Sequence, residues 1–344
     1  LVSLHGLSSL ASIGNNLEIG GKFEGNDALT DISALANLKS VGNDISIRNN
    51  AALTHVDGLL GIQSLEGDLT VEANASLTSL AGLGNLETAE RYIDIVDNPA
   101  LTNLDGLAKL NFVGGDIHLW KNTGLIQIDG LSALTMVGGN LHIDLNTALE
   151  QVDGLSNLEI VGSGVRFYSN YALTNLHGLS KLTAVDGYLD IVANGKLPNL
   201  NGLENLEIID GYLDVEGNDI LVDISALSNL AHVGDDVRIW YNMKLPNVDG
   251  LSKLEDIEGY LTVHENPSLL NLDGFSGVKT VTQDLIIDRN FSLADIQGIA
   301  NIETVGGDLK ILQNNDLCQG HIQDVVEQIT VDGTVETSGN KECL

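Results

Sequence analysis

Positive charge is scarce in this sequence: 16 lysines and arginines stand against 48 aspartates and glutamates, a formal net charge of −32. A surface of that sign repels phosphate, which argues against nucleic acid as a partner. Apolar runs are short, and none approaches the 18 or more consecutive apolar residues of a membrane span. Catalytic signatures are missing too. There is no G-x-S-x-G elbow, Walker loop, H-E-x-x-H or C-x-x-C. No catalytic residue is therefore assigned, and the chain reads as a non-enzyme. Aromatic residues make up only 4%, so where they fall is informative.

What is present is a repeat. The phrase L-x-x-L-x-G-L-x-x-L-x-x-V-x-G-x-L-x-I-x-x-N returns from Leu29 through Leu53, Leu77 and Leu101 to Leu293, always 24 residues on. Its closing asparagine keeps the same step, from Asn26 and Asn50 to Asn314. The first copy is longer by four residues, with Gly20-Gly21-Lys22-Phe23 as the insertion. Such repetition means stacked units in one domain. We expect a solenoid over residues 1–314, its first repeat (1–28) irregular, and a C-terminal cap over residues 315–344.

Numbering each copy from its first leucine, apolar residues occupy places 1, 4, 7, 10, 13, 17 and 19. That spacing fits neither a helix nor long alternation. Only the x-L-x-I-x segment alternates, and it predicts one short strand per coil. Glycines near places 6 and 15, such as Gly106 and Gly115, suit tight corners. The asparagine at place 22 suits an inward ladder that bonds the backbone of adjacent coils. Asn74 and Asn290 match the N-x-S/T acceptor pattern but belong to that ladder, which argues against their glycosylation.

Phrases such as LTNLDGLAKLNFVGGDIHLWKN resemble leucine-rich repeats. More closely, they resemble the receptor L-domains of the insulin and epidermal growth factor receptors and their microbial secreted or surface relatives. The shared segment is V-x-G-x-L-x-I-x-x-N, and the resemblance runs to Asn314. It implies a mainly β, right-handed solenoid, here of about 13 coils, and a secreted or surface-displayed recognition module. Such solenoids bind many things, so no receptor ligand is carried over.

Beyond Asn314 the pattern changes. Ile322, Val325, Val326 and Ile329 predict one amphipathic helix over the end of the core. Val335, Thr337 and Asn340 then fall as the strand and ladder places of a last coil. Cys318 and Cys343, the only cysteines, bracket this cap and suit a disulfide, hence an oxidising compartment. Two buried thiols are the other reading.

Aspartates recur at place 5 (Asp57, Asp105, Asp129, Asp153, Asp249, Asp273) and place 16 (Asp44, Asp68, Asp116, Asp236, Asp284, Asp308). Calcium between the columns is one reading. Solvated corners with Asp-Gly turn geometry are the favoured one, so no cofactor is assigned.

With places 17 and 19 inward, places 18 and 20 face out. On that face lie His118 and Trp120, His142 and Asp144, Arg166 and Tyr168, then Arg238 and Trp240 with Tyr241 beside them, and His264. Both tryptophans take the same place, and aromatics with Arg and His are typical of binding hot spots. These residues are the candidate ligand-binding face for an extracellular protein or glycan. His118, His142 and Asp144 would also be near enough to share a metal ion, but an open face of this kind is read without one. Tyr188, Tyr212 and Tyr260, at place 16, are expected to cover a corner. Two uses follow: an extracellular or cell-surface recognition module or adhesin, or a structural subunit of a filament or surface layer that self-associates end to end.

Overall fold

The structure, a computed structural model, describes residues 1–343. The chain divides into two compact units: Leu1–Ser163 with Phe167–Lys181, and Gly164–Arg166 with the chain from Leu182 onward. Both are built from the same coil. In the coil starting at Leu101 a 3-10 turn, Asp105–Leu107, leads to a two-residue strand, Phe112–Val113, and then to the main strand Ile117–Trp120. The main strand is the one the alternation predicts. The turn and the short strand are too brief to leave a periodic trace and were not expected.

In the first unit the main strands Leu17–Ile19, Ile45–Arg48, Leu69–Glu72, Ile93–Val96, Ile117–Trp120 and Leu141–Asp144 pair in parallel, each with the next. In the second, Leu189–Val192, Leu213–Glu216, Val237–Trp240, Leu261–His264, Leu285–Asp288, Leu309–Leu312 and Val335–Ser338 do the same. The seven aliphatic places point inward in register. In one coil Leu101, Leu104, Leu107, Leu110, Val113 and Leu119 are all 0% exposed. Burial of each such side chain is worth roughly 1.5–3 kcal/mol, and no coil could cover them alone.

The glycine at place 6 answers to its neighbouring coil. A Cβ on Gly106 would sit 1.9 Å from the Leu80 carbonyl oxygen, so between these two coils only glycine lets the turns approach; Ala34 and Ala226 hold the same place in other coils. Left-handed backbone recurs at place 21, where the residue is seldom glycine: Lys121, Leu145 and Tyr241 have φ of 59°, 56° and 53°. That conformation costs roughly 1–2 kcal/mol for an L-residue. It also turns the next residue, the asparagine, into the core.

There the predicted ladder forms. Asn122 is 0% exposed. Its Nδ2 donates to the Ile95 carbonyl at 2.7 Å, and its Oδ1 accepts from the Asn98 backbone N–H at 3.1 Å. Asn74 and Asn290 are equally buried. A second ladder uses the aspartates of place 16: Asp44 Oδ1 accepts from Asp68 N–H at 2.9 Å, Asp236 Oδ1 from Tyr260 N–H at 2.8 Å, and Asp284 Oδ1 from Asp308 N–H at 2.8 Å. This backbone role accounts for the column. The place 5 aspartates open the 3-10 turns, and the N–H groups of Asp105, Asp129, Asp249 and Asp273 are taken by the side chain two residues before, as Asn103 does for Asp105 at 3.1 Å.

At the C-terminal end the helix Gln319–Val326 buries Ile322 and Val325. Ile329 is 8% exposed. The strand Val335–Ser338 follows, and Asn314 N–H reaches Asn340 Oδ1 at 3.0 Å to continue the ladder. Cys318 and Cys343 form a disulfide with Cα atoms 5.6 Å apart. None of the described residues belongs to a helix long and apolar enough to cross a membrane.

Candidate functional site

Main-strand parity carries places 16, 18 and 20 to the same outward side. In the first unit this gathers side chains from successive coils. His118 stands in register between Asp94 and His142, and Trp120 between Val96 and Asp144. The His118 and His142 rings meet edge-on, centroids 5.9 Å apart. His118 Nδ1 lies 3.9 Å from Asp94 and its Nε2 3.9 Å from Asp144. Those separations exceed hydrogen-bond range, so the histidine sits between two carboxylates without being fixed by either. The Asp94 carboxyl is raised above the ordinary range, chiefly by burial and against the pull of His118. Lys121 Nζ lies 5.7 Å from the centre of the Trp120 ring and 3.0 Å from Asp97.

Asp144 differs from the exposed residue expected: it is 1% exposed. It stands in register with the large Trp120 side chain and beside His118. Parity gives the side of the sheet, but bulky neighbours decide whether a short side chain on that side reaches water. Among the described residues no group of three or more His, Cys, Asp or Glu side chains is arranged to hold a metal ion. Arg166 and Tyr168 sit on the strand Val165–Tyr168, the first half-buried and the second 42% exposed.

The second unit assembles a denser group. Trp240 packs edge-on against His264 at 6.0 Å, and Tyr241 does so at 5.3 Å. His264 Nδ1 is 3.1 Å from Asp288 and its Nε2 3.4 Å from Glu265. Arg238, in register with Asp214, pairs with Asp236 and lays its guanidinium 5.2 Å from the centre of the Tyr212 ring. Tyr212 in turn stacks on Tyr188 at 5.0 Å and donates its hydroxyl to Asp190 at 3.3 Å.

Asp214 is 8% exposed, and its carboxyl is pushed up to about 7. Burial is the main cause, followed by Glu216 and Asp190, with Arg238 pulling the other way. Its Oδ1, the Trp240 Nε1 and the Asp288 Oδ1 are buried without a hydrogen-bond partner. Such groups carry unspent bonding capacity.

The structure thus brings His118, Trp120, His142 and Asp144 together in one unit, and Arg238, Trp240, Tyr241 and His264 in the other. Tyr188 and Tyr212, expected from the sequence to cover a corner, join this group instead, and Asp214 was not among the candidate residues. The signal was there, since place 16 has the same parity as places 18 and 20.

No family model matches the chain, and no curated protein matches it. Solved structures do. An internalin from Listeria monocytogenes is similar at 14% identity, covering 84% of this chain and 87% of its own, with a TM-score of 0.36. A leucine-rich repeat protein from Bacteroides ovatus is similar at 14% identity over 94% of this chain and 92% of its own, with a TM-score of 0.33. Another, from Leptospira interrogans, is similar at 13% identity over 96% and 99%, with a TM-score of 0.29. The coil described above, with one main parallel strand and an inward asparagine per repeat, has the leucine-rich-repeat architecture.

Proposed function

We propose that this chain is a non-enzymatic recognition module, secreted or displayed at a cell surface, that binds an extracellular protein through the outward face of its main strands. The observation that carries the reading is the clustering of half-buried Trp, His, Arg and Tyr side chains at successive outward places of an otherwise acidic repeat. Residues of this kind dominate binding energy at protein interfaces. A protein is favoured over a glycan at this face because the aromatic rings pack edge-on against histidines instead of forming one flat platform. The disulfide supports an oxidising compartment.

The test is biolayer interferometry of the chain against a panel of purified secreted and surface proteins, with Trp120→Ala and Trp240→Ala alongside. The expected result is a partner whose affinity falls at least tenfold in one variant, about 1.4 kcal/mol. A partner indifferent to both substitutions would overturn the reading. So would concentration-dependent self-association in place of any partner, the behaviour of a filament subunit.

A further inference from the structure

The repeat departs from its 24-residue step at the first coil, where Asn16 bonds to Asp44, 28 residues on. The extra residues form a loop over residues 20–24 that is held at several points. Gly21 N–H bonds to the Glu24 carbonyl at 2.8 Å, and Asn49 Nδ2 donates to the Gly21 carbonyl at 2.8 Å. Gly20 has φ of +81°, and a Cβ there would lie 1.8 Å from the Arg48 carbonyl oxygen. The loop is therefore pressed onto the next coil by its backbone, and it walls off part of the outward strand face.

The wall encloses a cleft of about 300 Å³, at the small end of the range for small-molecule sites. Its floor is Glu18, Ser46 and Thr70, with Asn16, Arg48, Asp44 and Asp68 beside them and Lys22 on the loop; no aliphatic or aromatic side chain lines it. Two of the polar groups are fixed in advance. Arg48 is held by Glu72 at 3.1 Å and by Thr70 at 3.3 Å. Asp44 takes hydrogen bonds from Asn16 Nδ2 at 3.2 Å and from Asp68 N–H at 2.9 Å.

We infer that this cleft binds a neutral, hydroxyl-rich ligand of monosaccharide size, such as a terminal sugar unit of a glycan. Carboxylates only accept and guanidinium or ammonium groups only donate, whereas each hydroxyl does both. A polyol therefore satisfies Glu18 and Asp44 together with Arg48 and Lys22. An anionic ligand meets the carboxylates and a net charge of −32. A cationic one meets Arg48 and Lys22, while Asp68 is already paired with Arg91 at 3.2 Å and Asp44 already accepts two hydrogen bonds. The absence of an apolar wall disfavours ligands that need a hydrophobic face covered. This site is separate from the one in the preceding proposal and does not depend on it.

Saturation-transfer NMR of the full chain tests the inference, with free neutral hexoses and N-acetylhexosamines as probes and glucuronate and glucosamine for comparison. At least one neutral sugar should bind. Ser46→Phe, which fills the floor, should weaken it tenfold or more, as should Glu18→Ala and Lys22→Ala, whose exposed side chains take no part in the core. Trp120→Ala and Trp240→Ala should leave it unchanged. The inference is overturned if no neutral sugar binds, if only the charged sugars bind, or if binding survives the floor and rim substitutions in chains whose circular dichroism is native.

Discussion

Replacing one ladder asparagine should reveal what locks the coils together. Asn122→Ala removes the donor to the Ile95 carbonyl at 2.7 Å and the acceptor for the Asn98 N–H at 3.1 Å. Asn98 Nδ2 loses one partner but retains the Val71 and Val96 carbonyls at 2.9 and 3.0 Å. The Asn98 N–H is then left buried and unpaired, costing roughly 1–3 kcal/mol, while the Ile95 carbonyl keeps its place in the strand ladder and loses one bond worth about 1 kcal/mol, so the loss should be about 2–4 kcal/mol. Asn103→Ala is the control: its half-buried side chain accepts from Asp105 N–H at 3.1 Å and donates to Thr102 Oγ1 at 3.2 Å, both at the surface, and its loss should be about 0.5–1 kcal/mol. Equilibrium urea unfolding followed by far-UV circular dichroism gives the difference, and hydrogen exchange at the Asn98 amide locates it. Were Asn122→Ala to cost less than about 1 kcal/mol, with that amide still protected, the ladder would not be what holds neighbouring coils.

Other outcomes follow from the same geometry. Gly217 has φ of +62°, and the nearest atom to an added Cβ is 3.7 Å away, so Gly217→Ala should cost about 1 kcal/mol from backbone strain alone, read as a small drop in urea midpoint. Gly106→Ala should be far more damaging, because its Cβ would fall 1.9 Å from the Leu80 carbonyl oxygen; loss of soluble folded protein is the expected readout. Asp214 has a folded-state carboxyl at about 7, above its unfolded value, so the folded chain binds the extra proton and stability falls as pH rises from about 4 to 7. Asp214→Asn should remove that component and raise stability at pH 8 by on the order of 4 kcal/mol, measured by urea unfolding at pH 4 and at pH 8. Opening the Cys318–Cys343 loop of 25 residues by substituting both cysteines with serine should remove about 3–4 kcal/mol from the cap and expose the Gln319–Val326 helix to limited proteolysis.

Much of the coil was legible because each inward place recurs in every copy. Leu101, Leu104 and Leu107 could be read as core and Asn122 as ladder without coordinates. The place 16 aspartates were harder. A carboxylate accepting a backbone N–H looks, in sequence, like a solvated corner or a metal ligand, and the bond from Asp68 N–H to Asp44 shows the third use. The left-handed place 21 left no trace, because Lys121, Leu145 and Tyr241 share no chemistry; the constraint acts on the backbone, and the gain comes from the next residue. At the candidate face, parity placed Trp120, Trp240 and Arg238 correctly. It could not foresee that Asp144 is covered, or that Tyr212 lies under the Arg238 guanidinium. Both depend on the size of side chains one strand away.

The two ladders have a consequence for how such a gene can change. Each bond joins equivalent places of adjacent coils, as from Asn50 N–H to Asn74 and from Asn74 N–H to Asn98, both 24 residues apart. Excising residues 53–76 would present Asn98 to Asn50, and the Tyr92 amide to Asp44, with every column intact. Losing a single codon there would misalign the leucine, aspartate and asparagine columns together. Duplication or deletion by unequal recombination is thus tolerated in whole coils, while the reading register within a coil is held fixed.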